Sequence, residues 1–352
     1  MNIRIRIVML VLCTCLVSAA WAQPTKHTIT KFNVKGAGTA KGQGTIAGGI
    51  VADGAVDGDY IDSSGVAHGF FRSAAGKITT FDPSGSVNTF PVGMNSAHSI
   101  VGYYLDSTGV FHGFTRSPTG KIKTRDAPGA GKSAGQGTIL ENINNNDEIA
   151  GFYFDSSSVL IGFVISKAGK FTKFKAPGVG TMAGQGTAMA GFDGLNDAGA
   201  IAIDGIDSSG VNHGYLRTSA GKFSKAFDPK GSVNTFVTGI NTKNTIVGEF
   251  FDSGGAVHGF VRKSSGTIIQ VDVKGAIGTA IFNINSSGVS VGPYFDSTGV
   301  AHGLVFSPGG GMSTFSVSGA SGGTFPNSNN DPGWITGNWV DSSGVNHGYI
   351  RK

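Results

Sequence analysis

One phrase recurs seven times: an Asp opening a short turn, at Asp62, Asp106, Asp155, Asp207, Asp252, Asp296 and Asp341. Successive gaps are 44, 49, 52, 45, 44 and 45 residues. A unit this short cannot bury an apolar face alone and must stack on its copies. A period in the forties suits four short strands. The fifth copy displays them as "TFVTGIN", "TIVGEFFD", "VHGFVRK" and "TIIQVDV", separated by turn signals. They are strands a to d of an antiparallel meander.

The turn between b and c has a clear mechanism. In Asp62-Ser63-Ser64-Gly65-Val66 the Asp caps a type I turn and Gly65 takes the left-handed position. That register sets the residue two before the Asp opposite the residue six after it. The first position holds Tyr60, Tyr104, Tyr153, Gly205, Phe250, Tyr294 and Trp339. The second holds His68, His112, Ile161, His213, His258, His302 and His347. An aromatic–His pair therefore clasps most hairpins. A Gly follows in every copy, from Gly69 to Gly348, and then a large apolar residue.

The last copy ends at Lys352 after strand c. Its missing strand d matches the N-terminal region: residues 27–45 align without gaps to 169–187, with Thr30-Lys31-Phe32 on Thr172-Lys173-Phe174. These features predict an all-β chain, a seven-bladed β-propeller of four-stranded antiparallel blades. The N-terminal strand completes the C-terminal blade and closes the ring, which leaves only short protected edges.

The pattern "IN…IVGxYxDSxGxxHGF" resembles the bacterial extracellular repeats named for a His-Ala-Phe signature, the HAF family. It is carried by Ile143-Asn144, Ile240-Asn241 and Ile284-Asn285, by Ile100-Val101-Gly102 and Ile246-Val247-Gly248, and by the His-x-aromatic step. The resemblance covers 27–352 and implies an exported propeller without implying a chemistry. It departs in having Gly where that family has Ala.

Residues 1–22 read as a signal peptide: Arg4 and Arg6, the apolar run "IVMLVLCTCLV", and Ala20-Trp21-Ala22 for cleavage. Both cysteines lie within it, so the expected mature chain, a single domain over 23–352, has no disulfide to rely on. The expected location is secreted or periplasmic, with no transmembrane segment after cleavage, as a monomer. A mildly basic balance, +5 overall, does not suggest nucleic acid.

The candidate site residues fall into four groups. The histidines sit on strand c of separate units and cannot converge on one ion, so His68, His112, His213, His258, His302 and His347 read as packing residues without carboxylate partners at ligand spacing. The Asp turns offer one carboxylate each, too few for calcium; no metal and no cofactor is expected. Three strand-d exit loops share Gly-Gln-Gly-Thr, which nominates Gln43, Thr45, Gln136, Thr138, Gln185 and Thr187 for binding, with Phe90 and Phe236 nearby.

Asp57 stands where other units carry Val101, Ala150 or Val291, and Asp59, Asp204 and Glu249 are counterparts. Asp57 and Asp59 are the weak catalytic candidates. The last group is basic: Arg72, Arg116, Arg217, Arg262 and Arg351 end strand c and Lys77, Lys121, Lys170 and Lys222 begin strand d. They read as a solvated face. The chain thus reads as a non-enzymatic binding scaffold for an extracellular glycan or protein. A polysaccharide hydrolase or lyase and a multivalent lectin are the alternatives.

Overall fold

The computed structural model describes residues 27–189, 191 and 193–352; the expected signal peptide lies outside them. Among the described residues every regular element is a β-strand. The first unit is complete: Gly44–Ile50, Val56–Ile61, Ala67–Arg72 and Ile78–Phe81, each antiparallel to the next. The second, third and fifth repeat it. In the fourth, strand d shrinks to two isolated bridges, Gly214 with Phe227 and Arg217 with Phe223. In the sixth, strand a is split into Gly278–Thr279 and Asn283–Ile284.

The seventh unit supplies Gly323–Asn329, Ile335–Val340 and Asn346–Arg351. Its outer place is taken by Ile29–Phe32 from the other end of the chain. That strand runs antiparallel to Asn346–Arg351, with Ile29 facing Arg351 and Phe32 facing Gly348. Single parallel pairs stitch some neighbouring units at the start of strand a, such as Gly44 with Asn346 and Gly137 with Phe111. The hydrogen-bonded sheets are three open runs of strands; an isolated parallel bridge, Asp193 with Gly239, links the fourth unit to the fifth, and side-chain packing adds to the joining.

The Asp turn forms as its residues dictate. Asp62 Oδ1 accepts from Ser64 N–H and Val66 N–H, and Gly65 adopts a φ of +83°. The Gly after each clasp His also has a reason. A Cβ on Gly69, Gly214, Gly303 or Gly348 would lie 2.5–2.7 Å from the ring of Phe81, Phe227, Phe315 or Phe32 on strand d. Ala at those positions would drive that ring out of place.

The apolar cores lie between units. One cluster, for example, joins Ala202 of the fourth unit to Val237, Phe250 and Phe260 of the fifth. The strand-c arginines belong to these layers, which corrects their reading as a solvated face. Arg116 is only 5% exposed, and Arg217 and Arg351 are also buried. Each guanidinium stacks on the strand-d Phe of the preceding unit: Arg72 on Phe32, Arg116 on Phe81, Arg217 on Phe174, Arg262 on Phe227, Arg351 on Phe315. Centroid distances of 4.4–5.0 Å place these as cation–π spacers.

Candidate functional site

The Asn of the Ile-Asn step organises one mouth of the inner space. In six of the a–b turns its Oδ1 accepts from backbone N–H of its own turn, as Asn241 does from Lys243 and Thr245. Its Nδ2 reaches the next unit. Asn95 donates to Asn144 O, Asn144 to Asn196 O, Asn196 to Asn241 O, Asn241 to Asn285 O, Asn285 to Asn330 O, and Asn330 to Val51 O. Val51 has no amide to continue the series; there Asp53 Oδ2 meets His98 Nε2 at 3.0 Å instead. Residues of this belt line a mouth of about 270 Å³.

Behind the belt lies a constriction of about 20 Å³ walled by Gly49, Val92, Asp193 and Ser328. Beyond it a cavity of about 500 Å³ opens between strands a and b of the seventh, first and second units. Its walls are Ile46, Phe90, Tyr103 and Phe325, with Asp59 and Asn338 among the polar groups. A chain of amides fixes the seventh-unit wall. Asn327 donates to Ala47 O and Asn338 Oδ1, Asn338 to Asn346 Oδ1, and Asn346 to Gln43 O.

Several carboxyls face this inner space, and burial raises their pKa. Asp57 is 1% exposed; its Oδ1 accepts from Gly49 N–H at 3.0 Å while Oδ2 is unpartnered. Burial lifts Asp57 to about 6, and burial plus the charge of Asp57 lifts Asp59 to about 7. Burial likewise takes Glu141 to about 8 and Asp204 to about 8, whereas Asp193, which is exposed at the mouth, is raised more weakly than full burial would give. A hydrogen bond from Asn283 restrains Asp193 and one from Val237 N–H, at 2.8 Å, restrains Asp204. Glu249 is raised by burial too.

Tyr103 is half-buried, and desolvation together with the charges of Glu141 and Asp59 pushes it up to about 12. Of the two weak catalytic candidates, Asp57 is sealed in and Asp59 opens into the cavity.

Tyr103 was missed in the sequence although it shares the strand-b position of Asp59, Asp204 and Glu249. Glu141 gave no such signal, because it is the extra residue of a bulge between Leu140 and Asn142. Asp193 stands three residues before Asn196, as Glu141 does before Asn144, so comparing the units at that place would have found both.

The opposite rim carries the Asp turns and exit loops. The aromatic–His clasps form in the expected register, with Tyr60 on His68 at 5.0 Å and Trp339 on His347 at 4.3 Å. The expectation that the histidines lack carboxylate partners is corrected. His68 Nδ1 meets Asp82 Oδ2 at 2.8 Å and its Nε2 meets the turn residue Asp62 at 3.4 Å. His112, His213 and His258 are held likewise by Asp126 and Asp106, Asp228 and Asp207, and Asp272 and Asp252.

His302 meets Ser316 and Asp296, and His347 meets Asn33 and Asp341. Burial disfavours charge on His68, yet the bonds to Asp82 and Asp62 outweigh it and raise its pKa; the same balance raises His112, His213 and His258. The signal was present: an Asp at the end of strand d, 14 or 15 residues after the His. The two carboxylates sit at opposite ring edges and do not converge. Among the described residues no group of three or more His, Cys, Asp or Glu could hold a metal ion.

The Gly-Gln-Gly-Thr side chains are engaged by the chain itself. Thr45, Thr138 and Thr187 are buried, accepting from Val34, Ala127 and Ala176 N–H at 2.9 Å. Gln43, Gln136 and Gln185 accept from Ala40, Ser133 and Met182 N–H and donate to Ser63, Ser156 and Ser208 O. They tie each exit loop to the Asp turn beside it.

No protein-family model matches the chain, and no curated protein matches it in sequence. Solved structures do resemble it in fold. A catalytically inactive variant of virginiamycin B lyase from Staphylococcus aureus, with quinupristin, has a TM-score of 0.59 at 13% identity, covering 93% of this chain and 100% of that one. The BP39L lectin from Burkholderia pseudomallei has a TM-score of 0.55 at 14% identity, covering 84% of this chain and 91% of that one. Identities this low establish a propeller-like all-β fold and no activity.

Proposed function

We propose that the chain is an exported seven-bladed β-propeller of the His-Ala-Phe repeat kind that binds a small amphipathic ligand in its inner cavity. The ring runs over 23–352 after removal of 1–22, and Ile29–Phe32 closes it as the outer strand of the last blade. Support for closure comes from the pairing of the two chain ends and from the belt of Asn amides, which passes through the seventh unit back to the first.

The observation that carries the binding reading is the cavity of about 500 Å³, largely apolar and opening on Asp59 and Tyr103. Pockets of this size and character are where small ligands bind. Asp59, with a pKa near 7, serves as donor or acceptor as its protonation requires, beside a Tyr103 hydroxyl that stays protonated. Asp59 is the one carboxyl of the lining and, when ionised, disfavours an anionic ligand.

A thermal-shift panel of neutral and cationic cyclic peptides, glycans and aromatic amides tests this, since a ligand of the native state raises Tm by mass action. A hit is expected to lose its shift in Tyr103→Ala and Asp59→Asn. A hit that survives both variants places binding elsewhere.

A lyase reading draws on the same two residues, an acid and a base lining one cavity in a fold similar to virginiamycin B lyase. Product formation from a bound ligand, abolished by Asp59→Asn while binding persists, would favour it. A lectin on the Asp-turn rim would instead give glycan hits indifferent to Tyr103→Ala.

A further inference from the structure

The Arg–Phe stack that spaces the units is broken between the second and third. Ile165 ends strand c of the third unit where five others have Arg, and Arg125 ends strand d of the second where Phe is usual. The cation has crossed the junction, and no ring fills the space. What results is a cleft of about 310 Å³ on the face of the a–b and c–d turns, away from the Asp59 cavity.

Ile143, Ile149 and Ile165 form an apolar part of its wall. Around them stand Arg116, Lys121, Lys123, Arg125 and Lys167, with Asp147 as the one carboxylate. Asp147 is already engaged, by Lys167 at 3.0 Å and by Asn95 Nδ2 at 3.1 Å. Arg125 is half-buried, and its guanidinium has no hydrogen-bond or ion-pair partner among the described residues; Lys121 and Lys123 have none for their ammonium groups. Arg116 is buried with Nε unpartnered.

We propose that this cleft binds an oxyanion (carboxylate, sulfate or phosphate) carried on a small ligand with an aliphatic flank. The planar fork of Arg125 matches two oxygens of such a group, and half-burial screens the attraction less than at an open surface. The isoleucines take the flank. The site is independent of the Asp59 cavity in position and in sign of charge.

Titration calorimetry of the protein at low salt with hexyl sulfate, inorganic sulfate, hexyl phosphate and hexanoate tests it. Expected is one saturable site in which hexyl sulfate binds about tenfold tighter than sulfate, weakening as salt is raised. The order of the three hexyl compounds identifies the preferred oxyanion. Arg125→Phe, which supplies the residue usual at this position, should weaken binding about tenfold or more. Should that variant misfold, Lys123→Gln reads the same loss, while Lys77→Gln on the same face leaves affinity unchanged. Absence of saturation by about 10 mM, an affinity beyond simple millimolar attraction being the claim, overturns the site. So does equal weakening by Lys77→Gln, which would mean a diffuse basic face.

Discussion

Replacing Asp204 by Asn should change how stability depends on pH. Its carboxyl is enclosed between the fourth and fifth units, with Oδ1 accepting Val237 N–H at 2.8 Å. Its pKa rises from 3.8 to about 8, chiefly through burial, with the charges of Glu249 and Glu141 adding to it. The folded state therefore holds a proton that the unfolded chain gives up near pH 4. Stability from this group is fully present below the unfolded value and is lost as pH climbs through the folded one. Each pH unit in that window removes up to about 1.4 kcal/mol.

The full window amounts to roughly 5–6 kcal/mol, as an upper bound for one group. Asn is close in shape, keeps an oxygen for Val237 N–H and cannot ionise. Urea denaturation of both proteins at pH 5, 7 and 8 is the assay; inner carboxyls not coupled to Asp204 titrate in both and cancel, while Glu249 and Glu141 lose its repulsion in the variant, which acts in the same direction. The advantage of Asp204→Asn over the parent should widen by roughly 3–4 kcal/mol from pH 5 to pH 8. A gap constant across that range would mean Asp204 ionises as in water, and the picture of an enclosed neutral carboxyl would fall.

Deleting 27–36 removes the strand paired with Asn346–Arg351 and the Phe32 ring under Arg72, so it should unfold the protein or drive it to oligomers. Scattering-coupled gel filtration and melting read this out, and an unchanged monomer with unchanged Tm refutes the role of that strand. Arg217→Met keeps the buried stem and loses the stack on Phe174; a cost of about 1 kcal/mol is expected in urea, and no cost means the charge contributes nothing there. His258→Ala should cost about 1 kcal/mol at pH 5 and less at pH 9. The raised pKa of His258 makes its contribution complete below the unfolded value and lost as pH passes the folded one. A cost independent of pH would leave only the ring stack with Phe250 as its role.

Much of this architecture is written in local pattern. The seven Asp turns, the strand alternation, the aromatic–His register and the N-terminal stretch matching strand d all depend on residues a few positions apart, whose spacing fixes which side chains face each other. The strand-d acids that hold the histidines were equally legible, since His68 and Asp82 lie in adjacent strands of one hairpin. So was the exchange of Ile165 and Arg125 for Arg and Phe, had the two strands been compared across units.

What only the tertiary structure decided is what lies between units. A charge on strand c looks the same in sequence whether it meets water or the Phe of a neighbour, and Arg217 meets Phe174 because the sheets stack there. The Asn of each a–b turn is an ordinary turn residue until the next unit brings a carbonyl to its Nδ2. The carboxyls of Asp57, Asp59, Glu141 and Asp204 are scattered along the chain, and their protonation depends on how completely the surrounding units exclude water. Spacing governs partners within a hairpin; burial is a property of the whole assembly of units, and it decides which of these groups carry charge.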